Sequence, residues 1–86
     1  MTVALYILNI EDFRPLAETA ARNTDVTVVL RGPYYEVASE LPFRIDRDAT
    51  GCRNAIWYSA VAGVAHGTIE NWDGKELRIV PTAVGE

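Results

Sequence analysis

The stretch Thr50–Gly67, TGCRNAIWYSAVAGVAHG, constrains the fold more than any other part of the chain. It holds the sole cysteine, the sole histidine, one of the two tryptophans and the densest apolar run. Wound as a helix, Cys52–Val64 is apolar nearly all round. Cys52, Ala55, Ser59, Ala62 and Gly63 make a small-residue side. Trp57, Val61 and Val64 make a bulky side, with Arg53 and Asn54 at its edge. A helix without a polar face is buried on every side. The small side suits a sheet, and the bulky side needs a second cover, most simply a second copy of the chain. Trp57, Val61 and Val64 are therefore the expected interface residues. Wound as a strand, Ile56, Tyr58, Ala60, Ala62 and Val64 share one face, and Ala55, Trp57, Ser59 and Val61 the other. Periodicity alone does not separate the two readings. Length and alanine content favour the helix, capped by Thr50 and stopped at Gly63 or Gly67.

Few other devices are available to stabilise 86 residues. A chain of this size buries roughly 60–65% of its unfolded surface. One cysteine forms no internal disulfide, and one His with one Cys builds no structural zinc site. Neither a metal nor a cofactor is expected. Packing and self-association remain, so the expected partners are a second copy, a protein, or a small hydrophobic ligand. A formal net charge of −4 and a pI near 4.9 argue against nucleic acid and against anionic membrane surfaces. The opening MTVALYILNI is too short to span a bilayer and lacks a basic leader, so it reads as a strand. An unpaired thiol fits a cytoplasmic location.

In Thr2–Ile10 both alternating faces are mostly apolar, which predicts a central strand. Glu11–Arg22 predicts a helix with Asp12 as N-cap, Pro15 in the first turn, and a core stripe of Phe13, Leu16, Ala17, Ala20 and Ala21. Asn23 suits a left-handed end. Val26–Arg31 is a β-branched strand, Gly32-Pro33 a break, and Tyr34–Ala38 an antiparallel return. Leu41-Pro42 breaks the chain again before a short edge strand, Phe43–Asp46. Thr68–Val80 carries the strongest hairpin signal, with Asp73-Gly74 at its turn. A two-residue Asp73-Gly74 loop would set Ile69 against Arg78, on the wrong face, so an odd loop is expected. Loop Trp72–Gly74 sets Ile69 against Leu77; loop Asp73–Lys75 sets it against Ile79 and Glu70 against Arg78. Pro81 ends the pairing. Residues 1–81 read as a single domain, and 82–86 as a flexible tail.

This order of elements predicts an α/β chain of the α+β type, a two-layer sandwich. It resembles a ferredoxin-like split βαβ arrangement with an added C-terminal hairpin and its helices on one sheet face. Many functions live on that architecture, so the fold alone selects none.

Asp46-Arg47-Asp48-Ala49-Thr50-Gly51 resembles the first motif of the haloacid-dehalogenase phosphotransferases. That resemblance implies a nucleophilic Asp46 and an acid/base Asp48 on a doubly wound sheet, with further Lys and acidic motifs. The chain is too short for that fold and has a single lysine, Lys75, in a turn. As a calcium loop the same segment fails at its last ligand, where Trp57 replaces a bidentate Glu. A charged edge strand running into a helix start accounts for it. Thr50, Gly51 and the amides after them offer an anion site, with Arg44 and Arg53 adding charge. Cys52 in a first helical turn would be a candidate nucleophile, but its one histidine partner, His66, lies at the far end of the expected helix. Tyr34 and Tyr35 point to opposite faces, and with Trp57 and Trp72 could line an aromatic cleft. The candidate ligand-binding set is therefore Tyr34, Tyr35, Arg44, Cys52, Arg53 and His66.

No complete catalytic set emerges. The expected function is a small non-catalytic accessory or interaction protein, homodimeric through an apolar helix or sheet surface. The alternative is a small-molecule-binding domain or cofactor-free enzyme whose aromatic pocket takes a hydrophobic carboxylate-like ligand.

Overall fold

The computed structural model describes residues 2–82. Among these residues the fold is α+β, with two antiparallel sheets and three short helices. Strand β1 (Val3–Leu8) leads into helix α1 (Arg14–Ala20), then β2 (Val26–Arg31) and β3 (Tyr34–Ser39). Strand β4 (Phe43–Asp46) is followed by one-turn helices α2 (Arg47–Thr50) and α3 (Asn54–Trp57). The chain ends in β5 (Val61–Ala65), β6 (Gly67–Trp72) and β7 (Glu76–Pro81). The first sheet runs β2-β3-β1-β5, and the second β4-β7-β6. The expected short edge strand is there, but the terminal hairpin is not an appendix to one sheet. It joins β4 in a sheet of its own.

One core lies between the sheets. Val3, Leu5 and Ile7 of β1 and Val37 of β3 meet Phe43, Ile45, Leu77 and Ile79 of the second sheet, with Leu16 and Ala20 of α1 and Trp57 of α3 filling the gap. Alternate residues of β1 thus point inward, as period-two patterning requires. The sheets come into close contact at Gly67, where a Cβ would run into the Val3 side chain and the Val80 carbonyl. Only glycine fits there.

The long helix expected over Cys52–Val64 does not form. Gly51 takes a left-handed conformation (φ 70°) and ends α2, while Thr50 Oγ1 accepts the Cys52 amide at 3.1 Å. Helix α3 lasts one turn. Trp57 Nε1 then donates to the Asp73 carbonyl at 2.7 Å and ties that turn to the β6–β7 loop. Val61–Ala65 becomes the strand beside β1, with Val64 opposite Leu5 and Gly63 opposite Tyr6. Tertiary pairing has overridden helix propensity. Trp57 is fully buried by its own chain, and Val61 and Val64 are half-buried against the same core. Trp57 therefore needs no partner to cover it.

Smaller expectations change too. Helix α1 starts later, with Phe13 at its N-cap in place of Asp12; Pro15 lies in the first turn as expected. Asn23 has no left-handed backbone; its side chain instead donates to the Ala20 and Arg44 carbonyls. Ile69 faces Ile79, but not through an odd loop. Trp72 pairs with Leu77 across an even loop, and a bulge at Glu70 restores the parity. Nor does Gly74 use positive φ. The Asp73 carboxylate instead accepts the Lys75 and Glu76 amides at 2.8 and 2.9 Å. The Thr82 amide donates to the His66 carbonyl, and residues 83–86 of the expected tail lie outside the described residues.

Candidate functional site

The helices and the second sheet all pack on the inner side of the first sheet. Its outer face carries no other element among the described residues. Strand register sets three rows of side chains across that face. One row is Thr27, Ala38, Ala4 and Ala65; the next is Val29, Glu36, Tyr6 and Gly63; the third is Arg31, Tyr34 and Leu8. The first row is small and borders an open depression of about 410 Å³ lined by Thr2, Asp25, Thr27, Glu40 and Leu41. The third is large, with the exposed Tyr34 at its middle.

A polar network holds the middle of this face. Tyr6 Oη donates to Glu36 Oε2 at 2.9 Å, and Arg31 Nε donates to Glu36 Oε1 at 3.3 Å. The bond to Glu36 holds the Tyr6 phenol above its ordinary pKa; burial and the Glu36 charge add to this, and Arg31 opposes it. The Tyr6 side chain is thus a neutral hydrogen-bond donor across the physiological range. Around the network Val29 is 40% and Tyr34 37% exposed. Aromatic and arginine side chains beside exposed aliphatics are the residue types that anchor protein interfaces.

The outer face of the second sheet is different. Arg44 pairs with Glu76 at 2.7 Å and with Asp46 at 3.7 Å, and Arg78 pairs with Glu70 at 2.6 Å. Asn71 and Arg44 together hold the Glu76 carboxyl below its usual range. Asp73 is lowered chiefly by the Glu76 and Lys75 amides, with help from Asn71. These charges neutralise one another on a solvated surface.

The structure scatters the candidate ligand set. Tyr34 stands on the open face of the first sheet, and Tyr35 points the other way, toward the core. Arg44 lines a shallow depression of about 180 Å³ with Thr19, Arg22, Asn23, Asp46 and Ala49. Cys52 lies between α2 and α3, half-buried, with its sulfur near the Asp12 and Thr50 carbonyls. Arg53 is exposed at the start of α3. His66 is exposed at positive φ between β5 and β6. None of these other residues lines either depression. Trp72 stacks obliquely on Tyr58, at 5.8 Å between rings, and not on Tyr34 or Tyr35. No group of three or more His, Cys, Asp or Glu gathers as for a metal among the described residues. No helix of the described chain is long and apolar enough to cross a membrane.

The sequence places Tyr6 only within a central strand apolar on both faces, and singles out neither Glu36 nor Arg31. Period-two alternation through Thr27, Val29 and Arg31 and through Tyr34, Glu36 and Ala38 carried the signal, once β2 and β3 are laid beside β1.

No protein-family model matches the sequence, and no curated protein matches it. The fold does have a solved counterpart. The chain superposes on one chain of the structure of the phenol hydroxylase–regulatory protein complex with a TM-score of 0.75 at 18% identity. The match covers 96% of this chain and 100% of that one. At that identity the likeness is one of fold, and it extends from end to end.

Proposed function

We propose that this chain is an accessory protein that regulates an enzyme by docking on it and contributes no catalytic group of its own. The observation that carries this reading is the end-to-end match to a chain of a complex between a hydroxylase and a regulatory protein. That chain is matched over its whole length by 96% of this 86-residue chain, a size suited to the regulatory component. The first sheet, ordered β2-β3-β1-β5, is read as a ferredoxin-like split βαβ core whose function is to present its outer face. Tyr34, Val29, Tyr6 and Arg31 are the proposed contacts. The enzyme partner is of the oxygenase class that hydroxylates phenols. Self-association belongs to the same reading, through a surface other than the buried Trp57.

The test is titration of the chain into such a hydroxylase, with binding and hydroxylation rate measured together. Saturable binding with a changed rate, weakened by Tyr34→Ala and Val29→Asp, supports the reading. Unchanged rate and no binding at any concentration refute it.

A further inference from the structure

We propose that two copies of this chain join edge to edge through β2, as antiparallel strands related by a twofold axis at Val28. The inference deepens the self-association part of the functional reading and is independent of which enzyme is bound.

Among the described residues strand β2 is an edge of the first sheet, paired on one side, with β3. The connecting loop is Gly32-Pro33, with Gly32 at φ +57°. A two-residue loop of this kind makes Arg31 and Tyr34 a hydrogen-bonded pair. Alternation then turns the amides and carbonyls of Arg31, Val29 and Thr27 toward β3, and those of Leu30, Val28 and Val26 outward. The Val26 amide is taken by the Asn23 carbonyl at 3.2 Å. The Val28 and Leu30 amides and the Val26, Val28 and Leu30 carbonyls face the open edge. Among the described residues nothing along Val26–Leu30 protects it. The run contains no proline, no charge and no bulge, the devices that normally block edge pairing.

Register selects the occupant. With Val28 opposite Val28 of the second copy, each Leu30 amide meets the other copy's Val26 carbonyl, and the two Val28 residues exchange both bonds. On the inner face Leu30, at 55% exposure, lies opposite Val26 of the second copy. On the outer face Thr27 lies opposite Val29, and Arg31 opposite Asp25. The twofold repeats each pair, so two Arg–Asp pairs close the ends of the joined strands. Sliding by two residues either way loses both. Asp25 and Arg31 are exposed in the single chain, and Arg31 spends only a long 3.3 Å bond on Glu36. Two copies would thus form one continuous eight-stranded sheet, with the open faces of both side by side.

The pairing is tested by sedimentation of the native chain from low micromolar to millimolar concentration. A reversible monomer–dimer equilibrium is expected, with slowed exchange of the Val28 and Leu30 amides in the dimer. Asp25→Arg alone and Arg31→Asp alone each bring like charges together twice and raise the dissociation constant about tenfold or more. An equimolar mixture of the two folded variants restores association, because every facing pair is again Arg with Asp. Simple loss of stability in either variant does not produce that rescue. A native chain monomeric throughout, variants that associate as well as the native chain, a mixture that stays monomeric, or a dimer without protection of Val28 and Leu30 would each overturn the proposal. Failure of hydroxylase binding with these results intact would overturn only the docking reading.

Discussion

Trp57 offers the sharpest perturbation, because the two ways of winding Cys52–Val64 assign it opposite roles. In the structure it is fully covered by its own chain and its indole N–H is bonded to the Asp73 carbonyl at 2.7 Å. A tryptophan buries about 150–250 Å², which at about 25 cal/mol per Å² is about 4–6 kcal/mol. That figure is an upper bound, since unfolded chains already shield some surface. Trp57→Ala should therefore cost about 3–5 kcal/mol. A chain of this length has about 4–13 kcal/mol in all. Trp57→Phe keeps most of the ring but leaves the Asp73 carbonyl without its donor, adding about 1 kcal/mol to a smaller packing loss. About 2 kcal/mol in total would lower the melting temperature by about 8–16 °C. Urea titration followed by far-ultraviolet circular dichroism reads both variants, and denaturant slopes show whether cooperativity survives. A loss under about 1 kcal/mol for Trp57→Ala, together with a weakened dimer, would mean that the indole faces a partner and not its own core.

Gly67→Ala should cost more than Gly32→Ala in the same thermal assay. The first meets Val3 and Val80, at about 1–3 kcal/mol for overpacking, while the second meets open space and costs about 1 kcal/mol for its positive φ. His66→Gly should be tolerated and His66→Val should cost about 1–2 kcal/mol, since φ 60° is what that turn requires; equal stabilities would remove the conformational role. The lowered Asp73 and Glu76 carboxyls contribute stability above their ordinary titration range, and it is lost as pH falls through their folded values. Asp73→Asn with Glu76→Gln should flatten the acid limb of a stability–pH curve, and an unchanged limb would contradict the turn geometry. Tyr6 should titrate, by absorbance, above the ordinary tyrosine range, and Glu36→Gln should bring it down.

Much of the fold was legible where local chemistry and tertiary need agree. The β-branched run of β2, the Gly32-Pro33 turn, the return strand and the Phe43–Asp46 edge strand all read directly from residue type. The middle of the chain was not legible, because an apolar run satisfies either period. What decides it is long-range: the space beside β1, where Gly63 can sit against Tyr6, and the Asp73 carbonyl waiting for Trp57. The hairpin shows the same limit on a smaller scale. Parity demanded a same-face partner for Ile69, either Leu77 or Ile79; Ile79 is that partner, but a bulge supplied the parity in place of an odd loop. The candidate site was hidden for a related reason. Tyr6, Glu36 and Arg31 lie on three different strands, and only the register between them makes a network.

The proposed function requires that the open face of the first sheet bind an enzyme. Isothermal titration of the chain into a phenol-hydroxylating oxygenase, with Tyr34→Ala as the paired variant, measures this. Saturable heat that the variant weakens, accompanied by a changed hydroxylation rate, is the predicted result. Identical heats for both proteins, or none for either, would contradict it.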